Sequence, residues 1–213
     1  MDHEGQSGRA EGQAAIGIRI LLALAAALVA ASAAGQDEHA RRLGAELVVM
    51  AGDARRLTAA PPHGQEGLRR RLAGALSSLP VLLRQAGGDA TVVAGLRELL
   101  ARGDWNALAG ALAALRRRHR LDLRGILPAP PTPQRLRRGE AIHRQACAAC
   151  HDAPQADAAL PASNLFEMAR GMPAEEFAAR LLNGVRGDAS TALANPFGAL
   201  DLSALLAWYS RGR

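Results

Sequence analysis

Lysine is absent from this chain of 213 residues, so its positive charge is carried by 26 arginines, which stay ionised at any working pH. Aromatic residues number only six, and β-branched residues are scarce as well. Those are the usual strand formers, so a sheet has little to be built from. Alanine, leucine and arginine dominate instead, and the expected class is all-α. The length allows one domain or two small ones, with enough apolar content to bury a core. Long apolar runs are nearly absent too. One stands near the start, Ile20 to Ala31 behind Arg19, and it is about as long as a signal-peptide core but short for a bilayer span. Ala31-Ser32-Ala33 and Ser32-Ala33-Ala34 offer the small-x-small pattern that a signal peptidase cuts. Residues 1–34 therefore read as an export signal directed to the periplasm, with an uncleaved membrane anchor as the alternative raised by the long polar leader Met1 to Ala15. Export, together with the lack of aromatics interleaved among the basic residues, argues against nucleic acid as a partner.

There are two cysteines, and both fall in Cys147-Ala148-Ala149-Cys150-His151. Two thiols three positions apart on a helical turn can both add to the vinyl groups of one haem, and the adjacent His151 can then ligate its iron. A neutral imidazole is the expected donor, its other ring nitrogen held by an acceptor that the sequence does not name. A zinc site would need about four ligands, and no second pair at finger spacing accompanies this one. A thioredoxin-like dithiol would sit between a strand and a helix, whereas Cys147 follows the helical run Gln134 to Ala146. An oxidising compartment would join the two thiols as a disulfide if haem were never attached.

Between the leader and the motif, residues 35–127 read as a helical module. Candidate helices are Glu38 to Thr58, Gln65 to Gln85, Thr91 to Ala101 and Trp105 to Arg118, broken by Pro61-Pro62, Gly87-Gly88 and Gly103. Leu68, Leu72, Leu76, Leu79 and Leu83 form one stripe, and Asp89 and Asp104 precede helices at N-cap-like positions. Four short amphipathic helices suggest a small bundle. Residues 128–134 are proline-rich and form the best domain boundary, so that 135–213 is a second domain. From Gly35 to Thr132 there are 15 arginines against 9 acids, and from Pro133 onward 9 against 8. The surplus lies on the bundle, where it reads as solvated helix faces or as a docking face for an acidic redox partner or anionic lipid.

Arg138-Gly139-Glu140-Ala141-Ile142-His143-Arg144-Gln145-Ala146-Cys147-Ala148-Ala149-Cys150-His151 resembles the N-terminal helix and haem site of small bacterial class I cytochromes c. The likeness covers roughly residues 135 to 211. It implies a covalent haem c on Cys147 and Cys150, His151 as proximal iron ligand, and a glycine, here Gly139, that lets the C-terminal helix cross closely. An aromatic residue usually stands where this chain has His143. The C-terminal helix is recognisable in Leu202 to Tyr209, with Leu202, Leu205, Leu206 and Tyr209 on one face. Pro173 to Leu182 reads as another helix stopped by Gly184.

In most members of that family a distal loop brings a methionine to the sixth iron position. The matching place here reads Ala194-Asn195-Pro196-Phe197, and the only methionines beyond the motif are Met168 and Met172. Met172, Asn195, His143 and His119 are the candidate distal ligands, and an open or water-filled position is the fifth option. Three functional readings follow: an electron carrier serving periplasmic or membrane-bound redox proteins, a five-coordinate haem protein that binds a small molecule in a gas-binding or peroxidase-like role, and a tethered subunit whose bundle binds a membrane complex.

Overall fold

The computed structural model of the chain describes residues 38–153, 162–184 and 196–212, so the leader 1–34 and Asn195 lie outside the described residues. Among the described residues every regular element is helical and no strand occurs, as the composition requires. None of these helices is long and apolar enough to cross a membrane.

The first half contains four helices: α1 over 38–59, α2 Pro62–Gln85, α3 Val92–Arg102 and α4 Trp105–Arg118. The leucine stripe of α2 is buried throughout, and it meets Leu43, Leu47, Met50 and Leu57 of α1 and Leu108 and Leu112 of α4 in one core. Asp104 caps α4 by accepting from the Ala107 N–H at 3.1 Å. Asp89 does something other than the expected N-cap. It stands two residues before Thr91, the residue that caps α3, and accepts from the Thr91 N–H at 2.8 Å and hydroxyl at 2.6 Å, closing a turn instead.

Helix α2 also contains Pro80, which has no N–H to give the Leu76 carbonyl four residues earlier. Arg97 of α3 supplies the missing donor, its Nη2 lying 2.9 Å from that oxygen. A defect internal to one helix is thus repaired by its neighbour, which ties the two together.

The second half comprises α5 Pro133–Ala146, α6 Ala148–His151, α7 Leu165–Gly171, α8 Ala174–Asn183 and α9 Ala199–Tyr209, followed by one 3₁₀ turn, Ser210–Gly212. Its core begins ahead of the proline-rich stretch, because Ile126 is fully buried in it and Leu127 and Ala129 lean against it. The sequence suggests one apolar face for α9, yet Leu202 to Tyr209 are all buried. The reason is that α9 has neighbours on several sides: α5 crosses one, while α7 and α8 pack against others. Where α5 crosses, a Cβ on Gly139 would lie 2.7 Å from Trp208 Cβ and 2.8 Å from the Ala204 carbonyl carbon. Only a residue without a side chain permits that approach, as the resemblance implies.

By its contacts, Ala40–Arg213 forms one compact unit. Helix α1 is the reason, since it contributes to two clusters. Leu43, Leu47, Met50, Ala54 and Leu57 enter the first core, while Ala45 and Val48 pack against Ala179 of α8. Beside that apolar contact lies an ionic one. Asp53 of α1 and Glu176 of α8, both almost fully buried, share Arg56 and Arg180: Arg56 reaches Asp53 at 2.7 Å and Glu176 at 2.5 Å, and Arg180 reaches them at 2.8 and 3.0 Å. Arg71 of α2 adds a contact to Asp53 at 3.3 Å, and Arg116 of α4 pairs with Glu175 at 2.5 Å. The Glu176 carboxylate lies over Gly52, where an added Cβ would come within 2.5 Å of its Cδ. Part of the arginine surplus counted on the bundle is therefore engaged by carboxylates within the chain, although Arg56 and Arg71 remain partly exposed.

Burial alone would raise the Asp53 carboxyl, but Arg180, Arg71 and Arg56 outweigh it and hold the group below the ordinary carboxylate value of 3.8. A carboxylate depressed on folding stabilises the fold above its unfolded value and loses that contribution as pH falls through its lower folded value. Resistance to urea should accordingly fall as pH is lowered below about 4, and Asp53→Asn should both flatten that acid limb and cost about 2 kcal/mol at neutral pH by leaving the part-buried Arg180 and Arg56 short of a partner. Gly139→Ala is expected to cost about 3 kcal/mol or more, because the new methyl meets backbone that cannot step aside. Thermal unfolding would reveal the loss as a lowered Tm, and an unchanged Tm would mean that the crossing is looser than described.

Candidate functional site

Helix α5 ends at Ala146, and Cys147 both closes it and opens α6, with its N–H on the His143 carbonyl at 2.9 Å. The Cys150 and His151 N–H groups then return to the Cys147 carbonyl at 3.2 and 3.0 Å. The whole motif is thus one helical turn. Cys147 is half-buried against the second core and Cys150 is exposed, and both are thiols, with no disulfide between them.

His151 is oriented from the far side of the loop that follows. Asn164 caps α7 by accepting from the Phe166 and Glu167 N–H groups at 2.9 and 3.2 Å, and the carbonyl of the preceding Ser163 lies 2.6 Å from His151 Nδ1. A carbonyl can only accept, so Nδ1 carries the proton and the neutral ring keeps its lone pair on Nε2. This is the acceptor that the sequence could not name. Nothing in the local pattern singles out Ser163, because a backbone oxygen has no residue-type signature.

His143 is 4% exposed, and both of its ring nitrogens are engaged. Nδ1 lies 2.8 Å from the Tyr209 hydroxyl of α9, and Nε2 lies 3.1 Å from Asp152 Oδ2, just beyond the motif. The imidazole also meets Tyr209 and Phe166 edge to face, with ring centroids 5.5 and 5.7 Å apart. It therefore packs among aromatic rings at the helix crossing while making two hydrogen bonds. With both nitrogens committed there, His143 drops out as an iron ligand. The Cys147 thiol lies near the Tyr209 hydroxyl, close enough for each to shift the other. Burial pushes the Cys147 thiol up, Tyr209 opposes that, and the Asp152 and Cys150 charges add to it. Tyr209 is itself raised, first by burial and then by Cys147 and Asp152, so phenolate is disfavoured.

Of the remaining distal candidates, His119 closes α4 and is half-buried, its ring lying against Gly88 in the first half of the chain. Met172 follows α7 in extended backbone and packs, partly buried, on the second core. Asn195 lies outside the described residues. Among the described residues no group of three or more His, Cys, Asp and Glu side chains gathers in a way that could hold a metal ion. A cleft of about 430 Å³ between α3 and α4 and one of about 220 Å³ beside Leu127, Phe177 and Leu206 are lined by none of the motif residues.

The arrangement thus brings together Cys147, Cys150, His151 and the engaged His143. It adds three residues that the motif did not reveal: Ser163, Asp152 and Tyr209. A signal for the last was present, since it is the chain's single tyrosine and lies at the end of a largely apolar helix. Comparison of the chain with protein-family models, with curated proteins and with solved structures gave no match.

The paired burial of His143 and Tyr209 makes a directional prediction. His143→Phe keeps the ring packing but strands the Tyr209 hydroxyl, and should cost about 2 kcal/mol in urea unfolding. Adding Tyr209→Phe removes the stranded group and should recover most of that loss, a coupling that two independent residues would not give.

Proposed function

We propose that this chain is a c-type cytochrome of the periplasm that carries one covalent haem c and transfers single electrons between redox proteins. The observation that supports the reading best is the His151 tautomer. With Nδ1 tied to the Ser163 carbonyl, Nε2 holds the lone pair that an iron would take, one turn away from two thiols. This donor set fits the group: Cys147 and Cys150 would hold it as thioethers and His151 would be its proximal ligand. When bound, it would supply a reversible one-electron change at iron.

The chain's own residues set the conditions for that change. Cys147 reaches into the second core while Cys150 remains at the surface, so one edge of the site would be buried and the other accessible to a partner. Exchange at an exposed edge needs no substrate and no catalytic residue. The redox partners would be periplasmic or membrane-bound proteins. The leader 1–34 would act as the export signal, or as an anchor that keeps the protein at the membrane if it is not cut.

A second reading rests on the missing distal methionine. If neither Met172 nor Asn195 takes the sixth position, the iron would be open, and the protein would bind a small molecule in a gas-binding or peroxidase-like role.

Expression with a c-type maturation system should give a protein that keeps its haem through denaturation, and Cys147→Ser with Cys150→Ser should abolish this covalent retention. Absence of covalent haem in the wild-type chain would end both readings. Carbon monoxide added to the reduced protein then separates them. An unchanged low-spin spectrum supports the electron carrier, whereas a high-spin spectrum that shifts supports ligand binding.

A further inference from the structure

One end of the first core gathers arginines from several helices. Gly44 of α1 lies against the backbone just after α4, where an added Cβ would come 2.8 Å from Leu121 Cα. Gly88, after α2, lies beside the His119 ring, where a Cβ would come 2.9 Å from its Cε1. Asp89, which leads into α3, feels the charge of Arg118. The start of α1, the end of α2, the start of α3 and the end of α4 therefore share one end of the bundle. Two helix N-termini and two C-termini meet there, so their dipoles largely cancel and the side chains set the field.

Arg42, Arg84, Arg117, Arg118 and Arg120 are all exposed at this end. Among the described residues none of the five is in ion-pair contact with a carboxylate, in contrast to Arg116, which Glu175 takes at 2.5 Å. Of the three acids nearby, Asp122 is held by Arg124 at 2.6 Å, Asp89 accepts from Thr91, and Glu38 is one charge against five. The chain also arrives here from its apolar run, since α1 begins at residue 38, seven positions after Ala31. We propose that this end of the bundle is a docking surface for anionic phospholipid, with the five arginines as its phosphate contacts. A guanidinium presents a planar fork that matches phosphate oxygens, and it stays charged at any working pH.

The position of the charge favours lipid over an acidic redox partner. Such a partner would be steered to the exposed edge at Cys150, yet none of the five arginines lies on α5 or α6, and the residues from Pro133 onward carry almost no surplus. The surface does not involve the Cys147–Cys150 turn, so its test stands with or without haem.

The full chain is sedimented with vesicles of phosphatidylcholine, and with vesicles containing about one-third phosphatidylglycerol. Neutral vesicles register what the apolar run Ile20 to Ala31 contributes, and the excess on anionic vesicles registers the arginines. Each exposed arginine near the surface should strengthen that excess about fivefold. Arg117→Gln with Arg118→Gln and Arg120→Gln should therefore lower it about a hundredfold, while circular dichroism keeps the wild-type helicity. Arg42→Gln with Arg84→Gln, on two other helices, should lower it about twenty-fivefold, a second variant should the first not fold. Arg102→Gln with Arg137→Gln and Arg170→Gln removes the charge of three exposed arginines elsewhere and should leave the excess nearly unchanged. Raising the salt from about 0.05 to about 0.5 M should abolish the excess in the wild type. Equal binding to the two kinds of vesicle, or equal losses in the Arg117 and Arg102 triple variants, would overturn the assignment. Capture by immobilised polyglutamate without any excess on anionic vesicles would overturn it too, and would make this end a surface for acidic proteins.

Discussion

The second half of the molecule depends on the contact between α5 and α9 at Gly139. A side chain there would meet the backbone of Ala204, so the two helices approach as closely as their main chains allow. That approach brings the end of α5 to the end of α9, and with it Cys147 to Tyr209 and His143 to the same hydroxyl. If the crossing opened, the motif would remain a helical turn, but the groups around it would no longer be fixed.

A second constraint joins the halves of the chain. Asp53 and Glu176 are buried like charges on facing helices, which is tolerable only because Arg56 and Arg180 lie between them. Such an arrangement specifies register more than it adds stability, since these guanidinia and carboxylates meet only when α1 and α8 are correctly placed, and even then Glu176 Oε2 and Arg180 Nε lack hydrogen-bond partners. The small residues of the adjoining apolar contact, Ala45 and Ala179, let the helices come that near. The α8 helix thereby holds α1 while α7, just before it, holds the Ser163 carbonyl against His151.

Around the motif, polar groups do work that a purely apolar core could not. The two histidines near the Cys147–Cys150 turn are treated in opposite ways. His151 is fixed by one hydrogen bond, which leaves its other nitrogen as a donor, whereas His143 is tied at both nitrogens and kept from coordination. The same residue type is thus left with one free nitrogen in one place and none in the other, and the difference lies in the partners and not in the ring.

The sequence by itself determined the helical class, the leucine stripe of α2 and the helical turn that carries Cys147, Cys150 and His151, because periodicity, propensity and a three-residue spacing are local properties. It also singled out Gly139. Several features escaped it, each for a physical reason. The role of Ser163 rests on a backbone oxygen, and α7 is a short helix started by an asparagine within a loop. The Asp53–Glu176 cluster joins residues 123 positions apart. The repair of Pro80 by Arg97 depends on where α3 happens to pass. Only the tertiary structure decided which nitrogen of each histidine carries a proton, since that follows from the atoms opposite the ring, and those atoms are brought there by helices distant in the chain.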